Sequence, residues 1–161
     1  MPQQNSVELE IVGTAHDGRG VARLDGLAVF VPYALEGERV IDREVEIGGK
    51  PCRITCVSMG NPHCVVFVEN PDTLDLEKLG PVFENDLIFP ERVNTEFVSV
   101  VNNHTLQMRV WERGSGETWA CGTGACAAAV AAVLCGHCQK GDTIAIRLKG
   151  GELSIRYTDE A

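Results

Sequence analysis

The chemistry in this sequence concentrates in one stretch, "ERGSGETWACGTGACAAAVAAVLCG", residues 112–136. Cys121 stands directly before Gly122-Thr123-Gly124, and a helical pattern built almost wholly of alanine follows, over about 122–135. A helix start carries free N–H groups and a partial positive charge, and glycines there let an anion approach the backbone. A carboxylate or a phosphate is the natural guest. A thiol at the same end is expected to become more acidic. Glu112 and Arg113 end the preceding strand. One can orient or deprotonate a thiol, and the other can hold a second carboxylate in bidentate fashion. Two chemistries fit a thiol beside a carboxylate nest: nucleophilic attack, and removal of a proton next to the bound carboxylate. A nucleophilic thiol is usually served by a histidine. The candidates are His16, His63, His104 and His137, and spacing alone sets none of them beside Cys121.

The elements that must position this stretch are mostly strands. "SVELEIVG" (6–13) alternates apolar and polar residues, "GVARLDGLAVFVPYAL" (20–35) folds about Asp25-Gly26, and "REVEIGGKPCRITCVSM" (43–59) folds about Gly48-Gly49. "HCVVFV" (63–68) is a uniformly apolar strand, and "DTLDLEKLGPVFEND" (72–86) reads as a short helix started by Asp72 or Thr73. Residues 93–114 form two strands turning at Asn102-Asn103, and 142–157 a hairpin at Gly150-Gly151. The helix at 122–135 shows no polar stripe and ends where Gly136 can cap it. A helix apolar on every side is buried, and small side chains let its neighbours approach closely. The expected fold class is therefore α+β: mostly antiparallel strands in a curved sheet or barrel wrapped around one central apolar helix.

Composition limits the alternatives. With 161 residues, 44% apolar and 23% charged, the chain is globular rather than disordered. A net charge of -9 argues against a phosphate backbone as partner. No apolar run reaches the length of a membrane span, and the first residues do not read as a secretory signal. Seven cysteines in such a chain are expected to be free thiols in a reducing cytoplasm. Cys135 and Cys138 form a lone C-x-x-C with no second pair to complete a zinc site, so no metal is expected.

From about Arg43 onward the sequence resembles the second half of diaminopimelate epimerase. The blocks that carry the resemblance are "VSMGNPHCVVFV" (57–68), "FPERVNTEFVSV" (89–100), "ERGSGETWACGTGACAAAVAA" (112–132) and "LKGGELSI" (148–155), in the family's order. Several blocks together are far more specific than one short motif. The resemblance implies an isomerase of lysine biosynthesis that needs no cofactor. Two cysteines face each other across the α-carbon of a small dicarboxylic amino acid and interconvert its LL and meso forms. It implies that Cys121 is the second of these cysteines. It places the reacting carboxylate on the N–H groups of Gly122 and Thr123. Asn61, Asn94, Glu112 and Arg113 match positions that hold the distal end. Glu112 matches the residue that tunes the second cysteine, and His63 the residue that tunes the first. The family fold is two similar lobes, each with strands around a central helix.

Residues 1–56 contain no second cysteine in a glycine-asparagine nest. Cys52 and Cys56 lie on a predicted strand. Instead "HDGRGVARLDG" and "VFVPYALEGERV", within residues 7–40, resemble a TRAM domain, a small β-barrel module attached to RNA-modifying methyltransferases. Residues 1–50 hold nine acidic and five basic side chains, which does not favour RNA contact. The expected organisation is a TRAM-like β segment at 1–42 that completes the sheet, followed by one epimerase-like lobe at 43–161. Such a chain reads as a fusion, or chimera, of two unrelated pieces. It is expected to be an epimerase lobe that needs a homodimer partner or the missing first lobe to act. The alternatives are an inactive folded chimera and an RNA-binding TRAM-type module.

Overall fold

The computed structural model describes residues 11–14, 20–24 and 27–31 as backbone strands, and residues 41–89 and 91–158 in full. Strands β1 (Ile11–Thr14), β2 (Gly20–Leu24) and β3 (Leu27–Val31) pair in sequence as a three-stranded antiparallel sheet. Leu24 opposes Leu27, so β2 and β3 form the expected hairpin, although its turn at Asp25-Gly26 and the first half of the 6–13 strand lie outside the described residues.

The second sheet has eight strands. They are β4 (Arg43–Ile47), β5 (Lys50–Ser58), β6 (Pro62–Phe67), β7 (Asn94–Asn102), β8 (Thr105–Glu112), β9 (Gly116–Thr118), β10 (Thr143–Leu148) and β11 (Gly151–Arg156). The order is β11-β10-β8-β7-β6-β5-β4, with the short β9 also on β8. Gly48 and Gly49 turn the β4–β5 hairpin at φ +58 and +76, a left-handed pair that glycine adopts without steric cost. The β7–β8 turn falls on Asn103-His104, one residue later than the sequence suggests, because the Asn102 Oδ1 accepts the His104 N–H at 2.9 Å.

Most pairings are antiparallel, as expected, but the sheet is open and mixed rather than closed into a barrel. Two pairings are parallel, β6 with β7 and β8 with β10. Each spans a crossover through a helix. Helix α1 (Leu76–Glu84), after a single 3₁₀ turn at Pro71–Thr73, carries the chain from β6 to β7, and α2 (Gly122–Leu134) carries it from β8 to β10. Parallel neighbours need such a crossover, whereas antiparallel ones need only a hairpin. The expected single 72–86 helix is thus split, with Asn70 starting the 3₁₀ turn and Asp75 starting α1.

The period-two alternation of the central strands divides two cores. Val65, Val98, Leu106, Met108 and Val110 face α2, while Cys64, Val66, Phe97 and Trp111 pack in the cluster that holds Leu76 and Phe83 of α1. On α2, Ala125, Ala127, Ala128, Ala129, Ala131 and Ala132 are completely buried. Cys126, Val130, Val133 and Leu134 are half-buried, so the helix is less uniformly enclosed than its composition implies. Its far end closes as expected: Gly136, at φ +78, donates to the Val133 carbonyl, and the His137 N–H reaches the Ala132 carbonyl at 2.8 Å.

Candidate active site

One end of the sheet collects the polar residues. The register His63↔Asn94 sets the starts of β6 and β7 side by side, and Thr95↔Trp111 brings the end of antiparallel β8 to the same place. The N-terminus of α2 lies against this end. Asn61 and His63, Asn94, Glu112 and Arg113, and Cys121 to Gly124 therefore meet although they are spread over about sixty residues of sequence.

Cys121 is the N-cap of α2. Its extended backbone (φ -141, ψ 107) precedes the first helical residue, and its Sγ accepts the Gly124 N–H at 3.3 Å. The N–H groups of Gly122 and Thr123, the first two of the helix, have no intrahelical acceptor, and both residues are exposed. The two glycines do different work. A Cβ on Gly122 would meet nothing within 4 Å, so an anion can reach that backbone. A Cβ on Gly124 would lie 2.7 Å from the Glu96 Oε1 and 3.1 Å from the Cys121 Sγ. Gly124 therefore makes room for a buried carboxylate and a sulfur rather than opening the surface.

The expected acidification of Cys121 does not hold. The residue is only 8% exposed. Burial pushes its thiol above the ordinary range, the charges of Glu112 and Glu96 add to this, and only the Thr123 hydroxyl and the Gly124 N–H pull it down. Burial likewise raises Cys52, Cys135 and Cys138, and raises Cys64 strongly.

Around the thiol runs a set of side-chain hydrogen bonds. Asn61 Nδ2 donates to Thr123 Oγ1 at 3.4 Å, and Thr123 Oγ1 lies 3.6 Å from Cys121 Sγ. His63 Nε2 meets Asn61 Oδ1 at 3.0 Å, and His63 Nδ1 meets Glu96 Oε1 at 2.7 Å. Both side chains of that pair are completely buried. Glu96 was missed by motif reasoning. Its signal was a lone acid in "NTEFVSV", at the strand parity that faces α2. Asn94 is buried and fastened to backbone: its Nδ2 donates to the Pro62 carbonyl and its Oδ1 accepts the Arg113 N–H, at 2.8 and 2.9 Å. The Arg113 guanidinium reaches the Glu91 carbonyl at 2.8 Å. The Glu112 carboxylate accepts the Thr118 hydroxyl of β9.

A buried anchor supports this rim. Glu84 of α1 accepts the Trp111 indole N–H at 2.7 Å, the Gly114 N–H at 2.9 Å and Arg92 at 2.8 Å. Burial works against its ionised form, yet these donors outweigh burial and hold it below the ordinary carboxylate range. The turn after Glu112-Arg113 is thereby tied to the helix on the opposite face of the sheet. Among the described residues no three His, Cys, Asp or Glu side chains gather as a metal ion would require.

Comparison with known proteins finds two families along the chain. The family model described as diaminopimelate epimerase matches residues 55–161, and that of the TRAM domain matches residues 5–47. The junction thus falls within the β4–β5 hairpin, later than Arg43. The chain is 52% identical over 142 residues to the diaminopimelate epimerase of Nostoc punctiforme, covering 87% of this chain and 50% of that protein. It is 45% identical over 151 residues to that of Trichodesmium erythraeum, covering 94% and 54%. A solved phenazine biosynthesis protein of the PhzF family from Bacillus anthracis aligns with a TM-score of 0.46 at 25% identity, covering 64% of this chain and 33% of that one. The chain spans about half the length of the curated relatives it matches. With the diaminopimelate epimerase model matching residues 55–161 behind a TRAM match at 5–47, the chain belongs to the diaminopimelate epimerase family.

Proposed function

We propose that this chain is one catalytic lobe of a diaminopimelate epimerase, with Cys121 as one of two acid/base thiols. The observation that carries the reading is the N-cap itself: a thiol, two open backbone N–H groups and a polar rim share the start of one helix. The reacting carboxylate would sit on Gly122 and Thr123, where the helix end favours negative charge. The substrate's α-carbon would then lie beside Cys121 Sγ. Arg113, with Asn61, Asn94 and Glu112, would receive the distal end.

Burial supports a division of labour. A thiol kept protonated is an acid at rest. A base on the opposite face removes the α-proton, the C–H electron pair stays on the carbon beside the held carboxylate, and the Cys121 S–H delivers its proton to the other face. The carbon is inverted and Cys121 is left as thiolate, ready to act as base in reverse. The opposing thiol must come from a first lobe or from a second copy of this chain. Trp119, 73% exposed and two residues before the thiol, suits a surface that such a partner covers. We also infer that the sheet curves around α2, since the helix touches strands from β5 across to β11. We infer that the N-terminal segment, expected at 1–42, is a TRAM-like unit that extends through β4, as the family match to residue 47 supports. The seven free thiols support a reducing cytoplasm. To test the reading, the separately made first lobe of the Nostoc punctiforme enzyme is mixed with this chain and with its Cys121→Ala variant, and LL-to-meso conversion is followed. Conversion is expected only with Cys121 present. Conversion that survives the substitution would refute the role.

A further inference from the structure

Glu96 and His63 are buried beneath the start of α2, and the site reading uses Glu96 for nothing. Yet Glu96 begins an unbroken chain of contacts that ends at the reacting sulfur: Glu96 Oε1 to His63 Nδ1, His63 Nε2 to Asn61 Oδ1, Asn61 Nδ2 to Thr123 Oγ1, and Thr123 Oγ1 to Cys121 Sγ. The amide of Asn61 fixes the direction. Its oxygen faces His63, so Nε2 must carry a hydrogen, and its nitrogen donates to Thr123. The single Thr123 hydroxyl hydrogen is then left for the sulfur. If Nε2 were bare, the amide would turn over. Its oxygen would take the Thr123 hydrogen, and the sulfur would lose its donor. A second proton must also lie between Nδ1 and the carboxylate, since two lone pairs at 2.7 Å repel. Burial raises Glu96 while His63 pulls it down, so the two groups hold this proton between them. Gly124 completes the arrangement by leaving space for the Glu96 oxygen.

We propose that Glu96 is a positioning residue for Cys121: with His63 it keeps a hydrogen on His63 Nε2, which sets the Asn61 amide so that the Thr123 hydroxyl donates to the Cys121 sulfur. This rests on reading Cys121 as a proton-transferring thiol. The hydroxyl stabilises the thiolate formed after Cys121 has given up its proton, at the moment when burial and Glu112 oppose it.

Glu96→Gln tests this cleanly. Glu96 and Glu112 both raise Cys121, so loss of the Glu96 charge alone would move the Cys121 profile to lower pH, whereas release of the relay moves it to higher pH. Iodoacetamide alkylation of Cys121 in the full chain is followed across pH by site-resolved mass spectrometry. Wild type, Glu96→Gln, Thr123→Val and the double variant are compared. Both single variants are expected to move the Cys121 profile to higher pH and to slow alkylation near neutrality by roughly threefold or more. The double variant is expected to be no slower than Thr123→Val alone. An unchanged profile in Glu96→Gln, or further slowing in the Thr123→Val background, overturns the relay. Should Glu96→Gln lose its fold by circular dichroism, Asn61→Ala breaks the same chain at its half-buried middle link. It should reproduce the Thr123→Val shift, and an unchanged profile again overturns the proposal. If wild-type Cys121 shows no thiolate-dependent rate while other thiols do, the reading of Cys121 fails first, which is a different result.

Discussion

Gly124→Ala and Gly122→Ala form a matched pair two residues apart at the start of α2, and the structure predicts opposite outcomes. Alanine inside a helix is favoured over glycine by about 1 kcal/mol, so both substitutions would stabilise the protein if backbone entropy were all that counted. At Gly122 the new methyl meets nothing within 4 Å, and that gain or a fraction of it should appear. At Gly124 the methyl falls 2.7 Å from Glu96 Oε1 and 3.1 Å from Cys121 Sγ. A surface glutamate would swing aside. Glu96 cannot, because it is completely buried and held by His63 at 2.7 Å. Moving it weakens a charge-assisted hydrogen bond worth about 1.5–3 kcal/mol, or forces strain of about 1–3 kcal/mol. Against the propensity gain, loss of that hydrogen bond should leave Gly124→Ala about 0.5–2 kcal/mol less stable. Urea denaturation followed by far-UV circular dichroism reads both variants. Gly122→Ala should match or exceed wild type, and Gly124→Ala should unfold at clearly lower urea. If the two variants gain equally, Glu96 is not packed beneath the helix start, and the relay falls with it.

Ala128→Leu adds three carbons where α2 is completely buried against the sheet, and should cost about 2–3 kcal/mol or block folding, read by the same denaturation. Glu117 is held below the ordinary carboxylate range, first by its hydrogen bonds from Arg109 and then by Lys149, with burial opposing. Its contribution is therefore complete above the ordinary glutamate range and is lost as pH falls through its lowered value. The stability gap between wild type and Glu117→Gln should close on acidification, and a gap that widens would contradict the pairing. Trp119 should be readily quenched by acrylamide in the lone chain and protected when a first lobe is added, whereas Trp111 stays protected throughout. The TRAM match runs through β4, which is hydrogen-bonded to β5 of the large sheet, so one thermal transition is expected. Two separated transitions would contradict that coupling.

Much of this was legible in the sequence because it is local. The Gly48-Gly49 turn, the Cys121 N-cap and the Gly136 C-cap are each set by residues within a few positions, and they stand where the pattern put them. Pairing across crossovers was not legible. Nothing in "HCVVFV" says that its neighbour is parallel β7, reached only after α1. The burial of Cys121 was also hidden, since it comes from the surrounding core and from Glu96 and Glu112 on other strands. Glu96 escaped for a related reason. A charged residue within a strand reads as solvent-facing until the strand is known to lie under a helix.

The central claim is that this chain carries one half of an acid/base pair. Pure protein, shown by sedimentation to be monomeric, is incubated with LL-diaminopimelate in heavy water, and deuterium at the α-carbon is followed by NMR. Inversion without a cofactor needs an acid and a base on opposite faces at once, and the described residues supply one thiol at the helix start. The account predicts no meso product and negligible α-deuterium from the monomer. Rapid exchange with turnover to the meso form, in a protein that stays monomeric, would contradict it.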